Sequence, residues 1–247
     1  MQTALRRTDG ARSVERREAS RSDRLSRNYE AYGTNIIQDD DIALYEWDAV
    51  NRLTKTTNEA NGASFRYRAD GLRVEKVSGL AMVYIQNVED DSGYYDDNLA
   101  VNKPTTRWYY DGQMAMEDDF RTKPVLTNPD QYTVNKYGLG ARGIDSISRY
   151  HGTPSSFSLQ EVSYPVYDGH GNMVLTIARD GSSFSVSNER RYDVWGSVRA
   201  GSSTGAPAGR YCANLGHQQD DESGLVYMRA RYYEPGSGRF ISEGAVH

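Results

Sequence analysis

Cysteine is nearly absent from this chain. The single thiol, Cys212, excludes an intramolecular disulfide, so the fold does not depend on an oxidising compartment, and export to one stays open. Long apolar runs are absent as well. No stretch approaches the roughly 20 apolar residues of a membrane helix, and the N-terminal arginines, from Arg6 to Arg27, precede no apolar run of the secretory kind. Nor is there a basic excess: 29 Lys plus Arg face 34 Asp plus Glu, which argues against nucleic acid and against an anionic membrane as partner. Phenylalanine is scarce, with 5 Phe against 19 Tyr. Nearly every large ring therefore carries a hydroxyl and suits a half-buried sheet face, its body packed and its tip wet.

What is present changes along the chain. Residues 1–40 are dominated by Arg, Ser, Asp and Glu, with no aromatic before Tyr29, and read as a polar tail, disordered or weakly helical. From 41 to 200, short alternating segments are broken by Asp, Asn and Gly, which is the punctuation of strands and turns. The stretch "GSSTGAPAG", residues 201–209, reads as a flexible linker. Residues 210–247 then form a C-terminal segment.

Four stretches align on an aromatic: "WDAVNRL" from Trp47, "YRADGLR" from Tyr67, "YDGHGNM" from Tyr167 and "YDVWGSV" from Tyr192. The next residue is Asp48, Arg68, Asp168 or Asp193, and the fourth is Asn51, Gly71, Gly171 or Gly196. A type I turn favours Asp at its first position, where the carboxylate can accept from the backbone two residues on, and a residue tolerant of positive φ at its last. Each copy thus predicts the bend of a β-hairpin, with the aromatic closing the incoming strand. Asp111-Gly112 in "WYYDGQMAM" predicts a tighter two-residue hairpin turn. The expected fold class is all-β, with consecutive antiparallel hairpins forming a spiralling sheet or partial shell.

The Tyr-Asp pairs and the late stretch "SGLVYMRARYYEPGSGRFIS" resemble the Rhs or YD-repeat family, including its repeat-associated core segment. The likeness runs from about Ile42 to Ser242. It implies a hollow shell of hairpins, plugged at one end by an inward-turning segment that here holds Arg229, Arg231, Tyr232, Tyr233, Arg239 and Phe240. In toxin-bearing members of that family the shell encloses a toxin released by an aspartyl autoprotease, and in the teneurins a similar shell belongs to an adhesion receptor. Where the family has Asp-Pro after this motif, the present chain has Gly244 and Ala245. An aspartyl mechanism needs paired carboxylates, and Glu243 lies one residue out of register. In "YMRARYY", strand alternation places Tyr227, Arg229, Arg231 and Tyr233 on one face and Met228, Ala230 and Tyr232 on the other.

Other constellations are weaker. Cys212 and His217 have no second pair at a zinc spacing and read as an interior thiol and a surface imidazole. The acidic run Val88 to Asn98 lacks the alternation of a calcium loop. His170 reads as a solvent-facing turn residue, and no nucleophile elbow accompanies the histidines. The sequence therefore predicts a scaffold without catalysis, cofactor or metal, secreted or on the cell surface by a route not visible in the chain. Its expected partners are further copies or another YD-repeat chain at open strand edges, filaments included, and an enclosed cargo. The alternatives are a truncated toxin-delivery protein that has lost its autoprotease end and toxin, and an extracellular carbohydrate- or protein-binding adhesin.

Overall fold

The computed structural model describes residues 2–7, 42–57, 62–79, 83–86, 93–96, 103–122 and 130–241. Among them the fold is all-β, as the composition and punctuation predict. Twelve antiparallel strands form one sheet in chain order. They are β1 (Gln2–Arg7), β2 (Ile42–Trp47), β3 (Leu53–Thr57), β4 (Gly62–Tyr67) and β5 (Arg73–Ser78), then, after a separate hairpin of β6 (Val83–Gln86) and β7 (Gly93–Asp96), β8 (Thr105–Asp111), β9 (Met114–Thr122), β10 (Gln131–Gly140), β11 (Gly143–Thr153), β12 (Ser156–Tyr167), β13 (Met173–Asp180) and β14 (Ser183–Ser187). A hairpin of β15 (Arg190–Tyr192) and β16 (Val198–Gly201) follows. The chain then makes a short 3-10 turn at Ala213–Leu215 and a four-stranded sheet of β17 (Gln218–Gln219), β18 (Val226–Met228), β19 (Arg231–Glu234) and β20 (Arg239–Phe240).

The four repeated stretches share one turn geometry. The N–H of Asn51, Gly71, Gly171 and Gly196 donates to the carbonyl three residues back at 3.0–3.1 Å, and their φ values are 64°, 86°, 83° and 89°. Asp48 Oδ1 accepts from the N–H of Val50 and Arg52, Asp168 Oδ1 from His170 and Asn172, and Asp193 Oδ1 from Trp195 and Ser197. Where Arg68 replaces the aspartate, Asp70 Oδ1 accepts from Leu72 instead. A register shift falls immediately before Trp47, Tyr67, Tyr167 and Tyr192 in turn. In each the extra residue lies on the outgoing strand, at Thr54, Val74, Val174 or Arg199, and the bulge disrupts the ladder beside the carbonyl of the residue before it.

Those carbonyls explain the preference for tyrosine. Tyr67 donates its hydroxyl to the carbonyl of Leu53, Tyr110 to that of Arg73, and Tyr192 to that of Met173, at 2.6–2.8 Å, each acceptor being the first residue after an earlier turn. Tyr167 reaches the Ile144 carbonyl in the same way. A phenylalanine at these positions would fill the space and leave a buried acceptor unpaired.

Three local expectations are corrected. Residues 2–7 fall in the segment expected to be a tail, yet they pair with β2 from Gln2↔Trp47 to Arg7↔Ile42. The tight hairpin turn is Gly112-Gln113, one residue later than expected, because Asp111 pairs with Met114. The segment Tyr227–Tyr233 is not one strand but two, β18 and β19, joined through Arg229 at φ 59°. Strand alternation does not survive a bend, so Tyr227 and Tyr232 face each other across the hairpin and share one buried cluster.

Candidate functional site

The C-terminal segment lies along the row of turns, and the turn glycines shape its seat. A methyl group on Gly143 would stand 1.8 Å from the Asn214 carbonyl oxygen, and one on Gly171 would stand 2.0 Å from the Asn214 side chain. One on Gly196 would collide with the Tyr211 ring at 2.3 Å. These positions thus supply both a left-handed backbone and room for a second chain segment to approach. Backbone bonds complete the contact: Asn214 N–H donates to the Gly171 carbonyl at 3.2 Å, and Met173 N–H to the Arg210 carbonyl at 2.9 Å.

At the other end of the seat the anchor is ionic. Arg73 and Asp220 are 1% exposed and 2.6 Å apart. Lys76 approaches Asp220 at 3.4 Å and Glu222 at 3.1 Å, so two cations of β5 meet two carboxylates of the C-terminal segment. Burial works against the charge of Asp220, but Arg73 and Lys76 outweigh it and hold the carboxyl below its ordinary range. The Arg73 guanidinium also lies 4.5 Å from the centres of the Trp108 and Tyr227 rings. Tyr232 donates at 2.9 Å to the Tyr67 hydroxyl, whose own proton goes to Leu53, and accepts from Arg73 at 3.2 Å. Around this group pack Tyr45, Trp47, Leu53 and Phe65 from the early hairpins and Leu225 from the late segment.

A second polar group lies farther along the sheet. Asp118 of β9 is 6% exposed and accepts hydrogen bonds from the Tyr137 hydroxyl and, at 2.9 Å, from the Asn135 amide. Burial pushes its carboxyl up to about 6, against the opposing pull of those bonds and of Arg149. Beyond Tyr137 a cavity of about 20 Å³ separates the sheet from the late segment, lined among others by Ile144, Ile147, Met173, Ala213 and His217. That volume holds about one water. His217, expected at the surface, is instead partly buried with Nδ1 unpaired among the described residues, because the late segment folds it against the sheet. Burial, helped by Arg229, lowers its imidazole to about 4, so it is neutral near pH 7.

The singled-out late residues divide between these surroundings. Tyr232 is 2% exposed and Tyr233 7%, the latter donating to the Trp195 carbonyl at 2.8 Å. Arg229 leaves the segment to reach the Leu215 carbonyl at 3.0 Å and Gln113 Oε1 at 3.3 Å. Arg231 sits over the Phe240 ring, while Arg239 and Phe240 are exposed. Cys212 is partly buried with its N–H on Asn172 Oδ1, and His170 is exposed. Glu243, Gly244 and Ala245 lie outside the described residues, as do most of the residues from Val88 to Asn98. Among the described residues no three His, Cys, Asp or Glu side chains converge to hold a metal.

Sequence reasoning missed Arg73 and Asp220. The signal was there: six residues after the aromatic stand Leu53, Met173 and Val198 in three copies and Arg73 in the fourth. A cation in a core slot requires a buried partner.

No family model matches the chain. Three curated relatives do, over 202 residues and 80% of this chain. One is the tRNA3(Ser)-specific nuclease WapA of Bacillus spizizenii, 27% identical, and another the tRNA nuclease WapA of Bacillus subtilis, 26% identical. The chain spans about 7% of the length of these relatives. These findings overturn three expectations. Membership of the Rhs or YD-repeat family is not detected; the relatives are nucleases by name, against the expectation of a chain without enzymatic activity; and the scaffold and filament readings lose their support to the toxin alternative.

Proposed function

We propose that this chain works within a tRNA-nuclease toxin of the WapA kind, as part of a protein that delivers and cleaves rather than one that only encloses. The observation that carries this reading is the 202-residue likeness, which takes in 80% of the chain. The geometry agrees with it in one respect: the late segment is anchored to hairpins some 150 positions earlier by a buried ion pair, an arrangement that holds the C-terminal side of the chain in a defined place. Cleavage of tRNA is proposed for the whole protein. A tRNA nuclease endangers the cell that makes it, and we therefore place the protein outside its producer, secreted or at the cell surface.

The test is direct. The whole gene product that contains this chain, purified and incubated with total tRNA, is expected to yield discrete tRNA fragments on denaturing gels, and its expression in a cell lacking any protective partner is expected to arrest growth. Intact tRNA after prolonged incubation, with unimpaired growth, refutes the reading.

A further inference from the structure

Trp195 stands at the tip of the β15–β16 turn and is 57% exposed, next to Val194 at 82%. The other two tryptophans, Trp47 and Trp108, are buried. The indole of Trp195 rests on Gly238, where a methyl group would come within 2.9 Å of the ring. Immediately after Gly238 come Arg239 and Phe240, both exposed. Phe240 carries the Arg231 guanidinium 3.7 Å from its ring centre and meets Tyr233 edge-on at 5.5 Å. Tyr233 stacks on Tyr211, also at 5.5 Å, and Tyr211 in turn covers Gly196 of the Trp195 turn. Tyr211, Tyr233 and Phe240 thus form a strip of touching rings, and Trp195 adjoins it through Gly238 and the Gly196 turn, with Trp195 and Phe240 exposed.

Cations border this strip. Arg231 covers one face of the Phe240 ring, Arg239 next to it in the chain is exposed, and exposed Arg199 pairs with Asp193 at 2.6 Å, which neutralises the carboxylate of the Trp195 turn. We propose that the strip is a stacking platform for unpaired bases of RNA, the single-stranded stretches of a tRNA being the ligand class; this rests on the nuclease reading above. Every base presents a flat π face that suits an exposed Trp or Phe, and guanidinium groups alongside meet the phosphates. Contacts between guanidinium groups and phosphates make such binding salt-sensitive. A protein partner would also cover Val194 and Trp195, but bordering arginines and relatives that act on tRNA favour RNA.

The experiment titrates the full chain with tRNA, with a single-stranded oligoribonucleotide and with a blunt RNA duplex, following tryptophan fluorescence for the parent and the anisotropy of end-labelled RNA for parent and variants alike. Quenching by the first two and not by the duplex is expected, with binding weakened about tenfold or more by Trp195→Ala or Phe240→Ala, since stacking on one ring contributes roughly 1–3 kcal/mol per base. Both side chains are exposed, and unchanged circular dichroism confirms that the variants fold. Absence of quenching, equal binding of the duplex, or binding indifferent to both substitutions overturns the proposal, as does a polypeptide that occupies Trp195 while RNA does not. Cleavage by the whole protein without RNA binding by this chain overturns the platform alone. Binding without cleavage supports the platform and refutes the nuclease reading.

Discussion

At the scale of single residues, two turn glycines with nearly the same backbone carry different burdens. Gly71 and Gly171 have φ 86° and 83°, but a methyl on Gly71 meets nothing within 4 Å, whereas one on Gly171 meets Asn214 at 2.0 Å. Replacing either by Ala incurs the left-handed penalty, about 1 kcal/mol. Only Gly171→Ala must also displace the late segment. Urea unfolding is expected to show a clearly larger loss for Gly171→Ala than for Gly71→Ala; equal losses would mean that Asn214 moves aside freely.

At the scale of elements, the late segment is joined to β5 by the Arg73–Asp220 pair. Both partners are desolvated, so removing one leaves a buried charge without compensation, at a cost of about 3–5 kcal/mol. Asp220→Asn is expected to destabilise the protein by roughly that amount and to make residues 210–241 the first site of limited proteolysis. The double variant Arg73→Leu with Asp220→Leu should lose less, because Leu53 fills the equivalent slot of another repeat and Lys76 keeps Glu222 at 3.1 Å. A double variant as unstable as Asp220→Asn would place the stabilisation in the charges themselves.

At the scale of the whole molecule, buried Asp118 and partly buried His217 oppose each other across acidic pH. Asp118 titrates at about 6 in the fold against 3.8 ordinarily, so its protonated form is favoured by folding and stability falls as pH rises from 3.8 to 6. His217 titrates at about 4 against 6.5, so its neutral form is favoured and stability falls as pH drops from 6.5 to 4. The two slopes offset over much of the same window. Asp118→Asn is expected to expose the histidine slope, with stability declining on acidification below pH 6.5, and His217→Leu to expose the opposite slope, with stability increasing from pH 6 to 4. Asp118 contributes about 3 kcal/mol to that second change. Urea midpoints measured across this range decide the matter; parallel profiles for both variants and the parent would show that neither group governs it.

The all-β class was legible because it rests on local chemistry: aspartates and glycines within five positions of an aromatic dictate a bend, and alternating short segments dictate strands. The course of the late segment was not legible in the same way. Its reading as one alternating strand failed at Arg229, where a left-handed residue lets Tyr227 and Tyr232 close on each other. Reading His217 as a surface group failed because its burial comes from the sheet beneath it, formed by residues far away in sequence. By itself the sequence determined the four repeated turns, the pairing of neighbours and the preference for hydroxylated rings. Only the tertiary structure decided which turn glycines must also admit a second segment, that Arg73 meets Asp220 across 147 positions, and that Trp195 rests on Gly238 while Arg231 covers Phe240. The reason is physical: a turn is closed by atoms a few bonds apart, whereas a buried charge or a stacked ring is settled by whichever distant surface excludes water from it.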